Sequence, residues 1–134
     1  MKIYIASRTA RRDEVKEINK LLKSYGHKVL DWTWHKYIKP YDKNKQLAKN
    51  YAIEDLGSIK SCDVFILLAD KSFGAGSTTE LGAAIALSIE NKRPRVYVIG
   101  DISSNLFYYH PVVNYRKSID EAIEEILNSN KKPH

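Results

Sequence analysis

Short continuous apolar runs alternate along this chain with apolar residues at helical spacing. Lys2 to Ala6 and Asp63 to Leu68 are runs of β-favouring residues with no polar alternation, which suits strands buried on both faces. Arg95 to Gly100, after Pro94, is a third, and His27 to Asp31, after the turn at Gly26, is a weaker fourth. Between them Val15, Ile18, Leu21, Leu22 and Tyr25 recur at three- and four-residue steps, as do Ile119, Ala122, Ile123, Ile126 and Leu127. Gln46 to Lys60 predicts a helix with Leu47, Tyr51, Ala52, Leu56 and Ile59 inward, its pattern weakened by Gly57. Glu80 to Asn91, rich in alanine and apolar almost all round, predicts a buried helix.

Strands alternating with helices at this spacing predict a Rossmann-like three-layer α/β/α sandwich, with a mostly parallel sheet of about five strands and right-handed crossovers. No repeat, low-complexity tract or linker breaks the pattern, so residues 1–134 read as one domain with 128–134 as a loose polar tail. Asp31 to Lys45 is the one long irregular connection. Its aromatics, Trp32, Trp34, His35, Tyr37 and Tyr41, mark it as functional, either as a flap that stacks on a ligand or as core and interface.

Composition narrows the class. With 134 residues and 43% apolar content there is material for one core and no room for a second domain. The single cysteine, Cys62, allows no internal disulfide, and the N-terminus lacks a long apolar stretch, so the expectation is a cytoplasmic protein without a membrane segment. The formal charge of +6 raises the question of an anionic partner. Because the lysines are interleaved with acids and form no stripe, nucleic acid is not expected and a phosphorylated metabolite is.

In open α/β sheets ligands bind beyond the carboxyl ends of the strands, which here means Ala6 to Arg12, Ala69 to Glu80 and Gly100 to Pro111. The middle segment, Gly74-Ala-Gly76-Ser77-Thr-Thr-Glu80-Leu-Gly82, offers glycines for close backbone approach, then hydroxyls and a carboxylate at a helix start. It is neither a Walker loop nor a dinucleotide fingerprint. Ser77 and Glu80 are also spaced as a capping box, as are Ser118 and Glu121, so a purely structural role for Glu80 stays open on spacing alone. Tyr4 reads equally as a core tyrosine, and Asp55 as a solvated helix acid. No His/Cys cluster has metal-ligand spacing, and no metal or cofactor is expected.

The order Lys2-Ile-Tyr4-Ile-Ala, Asp55, Cys62-Asp63-Val-Phe-Ile-Leu-Leu and Gly74-x-Gly-x-x-x-Glu80-Leu-Gly82-x-Ala84 resembles the nucleoside 2-deoxyribosyltransferase family, which includes 2'-deoxynucleoside 5'-monophosphate N-glycosidases. The resemblance runs from Lys2 to about Pro111. It implies that Glu80 is the nucleophile at the anomeric carbon, that Tyr4 holds and activates it, and that Asp55 lies near the base and helps deliver a proton to it. It also implies a homodimer or larger assembly, in which Ser103, Ser104 and Asn105 reach a neighbouring subunit's site. Ser7, Arg8, Arg11, Gly74, Gly76 and Ser77 are the expected substrate contacts in the chain's own site, with Thr9 and Arg12 part of the same basic cluster. Monophosphate hydrolases of the family carry a serine where Gly74 stands, so Ser72 or Ser77 would have to replace it. The resulting expectation is cleavage of a nucleoside 5'-monophosphate through a covalent glycosyl-enzyme. The alternatives are base exchange between deoxynucleosides, cleavage of a nicotinamide dinucleotide, and a non-catalytic nucleotide sensor.

Overall fold

In a computed structural model, which describes residues 1–71 and 74–129, five strands form one sheet in the order β2-β1-β3-β4-β5, every neighbouring pair parallel. The strands are β1 (Lys2–Ala6), β2 (Lys28–Val29), β3 (Val64–Ala69), β4 (Arg95–Gly100) and β5 (Val113–Arg116). The helices are α1 (Arg12–Ser24), α2 (Lys45–Ser61), α3 (Ala75–Asn91) and α4 (Ile119–Ser129). The chain winds outward from β1 to β2, then returns past β1 and proceeds through β3, β4 and β5. The winding therefore reverses between β1 and β3.

The period-2 geometry of the strands divides the core into two apolar layers. Ile3, Ile5, Val64, Ile66, Leu68, Tyr97 and Ile99 face α1 and α4, where Val15, Ile18, Leu22, Ala122, Ile123 and Ile126 meet them. Tyr4, Ala6, Phe65, Leu67, Val96 and Val98 face α2 and α3, against Ile59, Leu81, Ala84 and Ile85. This is the three-layer α/β/α sandwich that the alternating pattern predicts. No helix among the described residues is long and apolar enough to cross a membrane.

Several expected boundaries and faces shift. Helix α3 begins at Ala75, five residues before the expected start, because Gly74 serves as its N-cap. It is not buried all round: Ile89 is exposed and Ala86 faces solvent. The weak fourth strand shrinks to two residues. Of the expected tail, Asn128 and Ser129 are helical, and 130–134 lie outside the described residues, as does Ser72.

The larger correction concerns α2, where Leu47, Ala52 and Leu56 are exposed and Ile59 is the buried residue. The stripe that faces inward is Ala48, Tyr51, Asp55 and Ile59, mixed in polarity because its first three members line a cavity instead of a dry core. Leu21 in α1 and Tyr25 just after it likewise remain exposed, leaving Val15, Ile18 and Leu22 as the buried apolar set, with Asn19 buried beside them.

The exit of β4 has a firm steric requirement. Gly100 has φ +102°, and a Cβ there would lie 2.7 Å from the Ala69 carbonyl oxygen on the adjacent strand. Backbone on both sides leaves nothing to yield. Gly100→Ala is expected to destabilise the fold by about 1–3 kcal/mol, read as a lower midpoint in urea unfolding. An unchanged midpoint would mean that the β4 exit rearranges freely.

Candidate active site

A reversal of winding leaves a crevice at the carboxyl edge of a parallel sheet, because the loops on its two sides diverge. Between β1 and β3 that crevice is a cavity of about 590 Å³, walled by the end of β1, the 31–41 segment, α2 and the start of α3. Tyr4 rises into it from β1. Its ring lies nearly parallel to Phe65, 12° between planes, and its hydroxyl donates to Glu80 Oε2 at 2.7 Å. Asp55 enters from α2, so the strand and the two helices of one layer bring three polar side chains together.

The electrostatics follow from enclosure. Burial, opposed by the Tyr4 hydrogen bond and reinforced by the Asp55 charge, raises Glu80 from its ordinary 4.5 to about 8. Asp55 is also raised, first by burial, with His35 opposing and Glu54 adding. The two carboxyls are close enough to hydrogen-bond through a proton, and like charges in one enclosed site resist ionising together. Near neutral pH the pair therefore holds one proton. Burial and the neighbouring Glu80 and Asp55 carboxylates keep the Tyr4 phenol well above its usual range, so it acts as a donor.

This geometry excludes the capping reading of Glu80. Ser77 lies inside α3 and its hydroxyl donates to the Gly74 carbonyl at 3.0 Å, while the Glu80 carboxylate turns to Tyr4. At Ser118 the capping reading holds: its Oγ accepts from the Glu121 amide at 3.3 Å, and Glu121 accepts from the Lys117 amide.

The aromatic connection is tied down at several points. Trp32 Nε1 donates to the Ile5 carbonyl at 2.6 Å, and Asp31 Oδ1 accepts from the amide and hydroxyl of Thr33. The His35 ring stacks on Tyr51 at 3.9 Å with 3° between planes, and Trp34 meets it edge-on at 4.5 Å. His35 Nε2 lies 3.4 Å from Glu54 Oε1 and 3.9 Å from Asp55 Oδ1. The sequence places His35 only among flap aromatics. Its position beside Asp55 depends on which face α2 turns inward, and that face carries no apolar signature.

The expected substrate contacts divide. Ser7, Arg8, Gly74, Gly76 and Ser77 line the cavity. Arg11 does not: a two-point pair with Glu14, at 2.8 and 3.1 Å, and a longer contact to Asp70 turn it away. Asn105 is absent from this cavity too, its side chain capping the turn Leu106–Tyr109 by accepting from the Phe107 amide at 2.9 Å. At Gly74 a Cβ would come within 3.2 Å of Ser77 Oγ and 3.3 Å of Arg8 Cγ, a steric counterpart to the lack of serine there. Thr9 and Arg12, of the same basic cluster, do line the cavity. Cys62 is buried under α2, and burial with the nearby Asp63 pushes its thiol up to about 12, which leaves it inert as a nucleophile. Among the described residues no group of three or more His, Cys, Asp or Glu is arranged to hold a metal ion.

No family model matches this chain, and no curated protein matches it. Among solved structures it is similar to a CMP N-glycosidase of Clostridium botulinum, with a TM-score of 0.58 and 19% identity over 98% of this chain and 100% of the other. At that identity the likeness establishes the fold: the Rossmann-like sandwich extends across nearly the whole chain.

The raised Glu80 has a measurable consequence for stability. A carboxyl whose folded pKa lies above its unfolded one binds an extra proton in the folded state, so its burden on folding is absent below about pH 4.5 and grows until about pH 8. Glu80→Gln removes that burden. Its unfolding free energy in urea is expected to match wild type near pH 5 and to exceed it increasingly toward pH 8, by on the order of 2 kcal/mol or more. A gain independent of pH would show that Glu80 titrates normally.

Proposed function

We propose that this protein is an N-glycosidase acting on nucleoside 5'-monophosphates, with Glu80 as nucleophile. The observation that carries the reading is the 2.7 Å hydrogen bond from Tyr4 to Glu80 inside a cavity shared with Asp55. Two carboxyls with one proton between them are what displacement at an anomeric carbon needs, one ionised to attack and one protonated to assist departure. Burial and Asp55 together raise Glu80, and the hydrogen bond donated by Tyr4 opposes them, which brings the reactive form, with the shared proton on Asp55, within reach.

The reaction then has two halves. The Glu80 carboxylate bonds to the anomeric carbon as the bond from that carbon to the base nitrogen breaks, its electron pair leaving with the base, which takes the Asp55 proton. Water next attacks the glycosyl ester, Asp55 accepts the water's proton, and the sugar 5-phosphate leaves as Glu80 is regenerated as a carboxylate. The sugar's positive charge in each transition state faces an enclosed carboxylate, where electrostatic stabilisation is strongest. The fold likeness to a protein named for N-glycosidase action on CMP supports the substrate class and makes pyrimidine nucleotides the first to try.

Incubating the protein with nucleoside and deoxynucleoside monophosphates, the corresponding nucleosides and NAD, with and without an added free base, tests the reading. Free base released from a monophosphate is the expected result. Glu80→Gln is expected to abolish release, and Asp55→Asn to slow it about 10²- to 10⁴-fold. The rate should fall above about pH 8, where the carboxyl pair loses its last proton, and again at low pH, where the pair takes up a second one and no carboxylate is left to attack. Base exchange in place of release would make the protein a transferase. Binding without turnover would make it a sensor.

A homodimer is part of the same proposal. Leu106, Phe107 and Tyr109 stand 75%, 57% and 63% exposed next to Asn105, an apolar cluster that a second copy would cover. Sedimentation velocity is expected to give twice the 15.4 kDa chain mass, and Phe107→Glu to shift it toward monomer. A monomer at all concentrations would remove Asn105 from any site.

A further inference from the structure

Lysines interleaved with acids describe the chain as a whole, and residues 36–49 are the exception. They hold five lysines, Lys36, Lys39, Lys43, Lys45 and Lys49, against the one acid Asp42, which makes +4 of the chain's formal +6. All five are exposed, and none forms an ion pair among the described residues. Lys45 and Lys49 stand one turn apart on α2, so their side chains share a face. Like charges crowded into one short segment repel one another, and a polyanion relieves that repulsion.

Aromatic rings are set among these lysines. Trp34, Tyr37 and Tyr41 are 59%, 74% and 54% exposed, and Lys39 Nζ lies 5.8 Å from the centroid of the Tyr41 ring. The segment that displays them is pinned. Trp34 meets the rings of His35 and Tyr51 edge-on, the Lys36 amide donates to the Tyr51 hydroxyl at 3.1 Å, and Asn44 Nδ2 donates to the Ile38 carbonyl at 2.8 Å. Ring faces held in water at fixed positions are ready to stack, with little ordering left to do when a ligand arrives. Lys36, Tyr37, Lys39 and Tyr41 also line the cavity, so the patch begins at the proposed site and continues into the start of α2. A free monophosphate inside the cavity has no use for the outer part, since Lys43, Lys45 and Lys49 do not line it.

Cations for a backbone and ring faces for bases are the two things a single-stranded nucleic acid needs. A duplex hides its base faces, and a flat bilayer cannot follow a concave mouth. We infer that residues 34–49 form a binding surface for single-stranded nucleic acid, along which a strand lies with one nucleotide reaching the cavity. The entry of that nucleotide rests on the N-glycosidase reading above, which it extends from free nucleotides to a nucleotide in a strand. The surface itself does not rest on it.

Fluorescence anisotropy of a labelled oligothymidylate of about 12 nucleotides, titrated with the wild-type protein over a range of salt, tests the surface. The logarithm of the affinity is expected to fall against the logarithm of salt with a slope of about −2 to −3.5, as about three to five lysines on phosphates require. Replacing Lys43, Lys45 and Lys49 together by Gln is expected to take about 2 off that slope and to weaken binding about 10-fold or more at low salt. Tyr37→Ala is expected to weaken binding about 5-fold or more and to leave the slope as it was, the mark of a stacked base. Gln at Lys16, Lys23 and Lys28 removes the same charge from α1 and β2, and should leave affinity and slope nearly unchanged. Equal losses in the two triple variants would reduce the effect to net charge and overturn the inference. So would no binding at low salt, or equal binding of the strand paired with oligoadenylate or of vesicles of phosphatidylcholine and phosphatidylserine. Strand binding that depends on these residues, in a protein that releases no base from any nucleotide, would uphold the surface and sink the N-glycosidase reading. Base released from free monophosphates by a protein with no affinity for the strand would do the reverse.

Discussion

The site depends on a carboxylate kept out of water beside a second carboxylate, with the Tyr4 hydroxyl as its fixed donor. Isolated charges of like sign do not share an enclosed space cheaply, and a fold meets the difficulty by keeping one of them protonated. The elements around the pair are placed consistently with that. Tyr4 is on a strand buried on both faces, and its hydroxyl turns to Glu80 at the cavity wall. The ring is packed against Phe65, and that packing fixes where the hydroxyl points.

Topology brings the three groups together without any of them being near in sequence. β1 and β3 are neighbours in the sheet although α1, β2 and α2 lie between them in the chain. Because α2 and α3 lie on the same face, Asp55 and Glu80 approach from one side, and Tyr4 has the strand parity that points to that side. Shift β1 by one residue and Tyr4 would enter the opposite layer, among the aliphatic side chains of α1 and α4. Register, which looks like a matter of stability, here decides whether the Glu80 carboxylate has a hydrogen-bond partner.

How much of this was legible in the sequence follows from what kind of signal each part leaves. The continuous apolar strands and the amphipathic α1 and α4 carry strong periodicities, and the layers follow from them. Tyr4, Asp55 and Glu80 were legible through a motif, and the cavity does bring them together. The inward face of α2 was not, because Ala48, Tyr51 and Asp55 point at a cavity and so break the rule that inward means apolar. Nor was the sorting of the arginines. Arg8, Arg11 and Arg12 are alike in sequence, and only the placement of Asp70 and Glu14 shows that two are engaged and one is not. The start of α3 escaped for a related reason: a serine and a glutamate three residues apart look like a cap, and the glutamate's engagement with a strand 76 residues away leaves no local trace.

The same sorting of charge orients any ligand in the cavity. The chain carries a formal charge of +6, yet the carboxyls of Asp55 and Glu80 make one part of the cavity acidic. Asp70 draws Arg8 and Arg11 onto itself, so they do not neutralise that acidic part. Arg12, held over Trp32, remains as the cation of the opposite tendency, and the amides of α3 add to it. On the proposed reaction, a centre that becomes positive would lie toward the acidic end of the cavity, beside Glu80 and Asp55. An anionic group at that end would face two carboxyls at close range, a repulsion screened less in a cavity than in bulk water. The separation of acidic and basic groups along the cavity would thus orient an anionic ligand, and the sheet's point of reversal is where the fold can hold both ends apart.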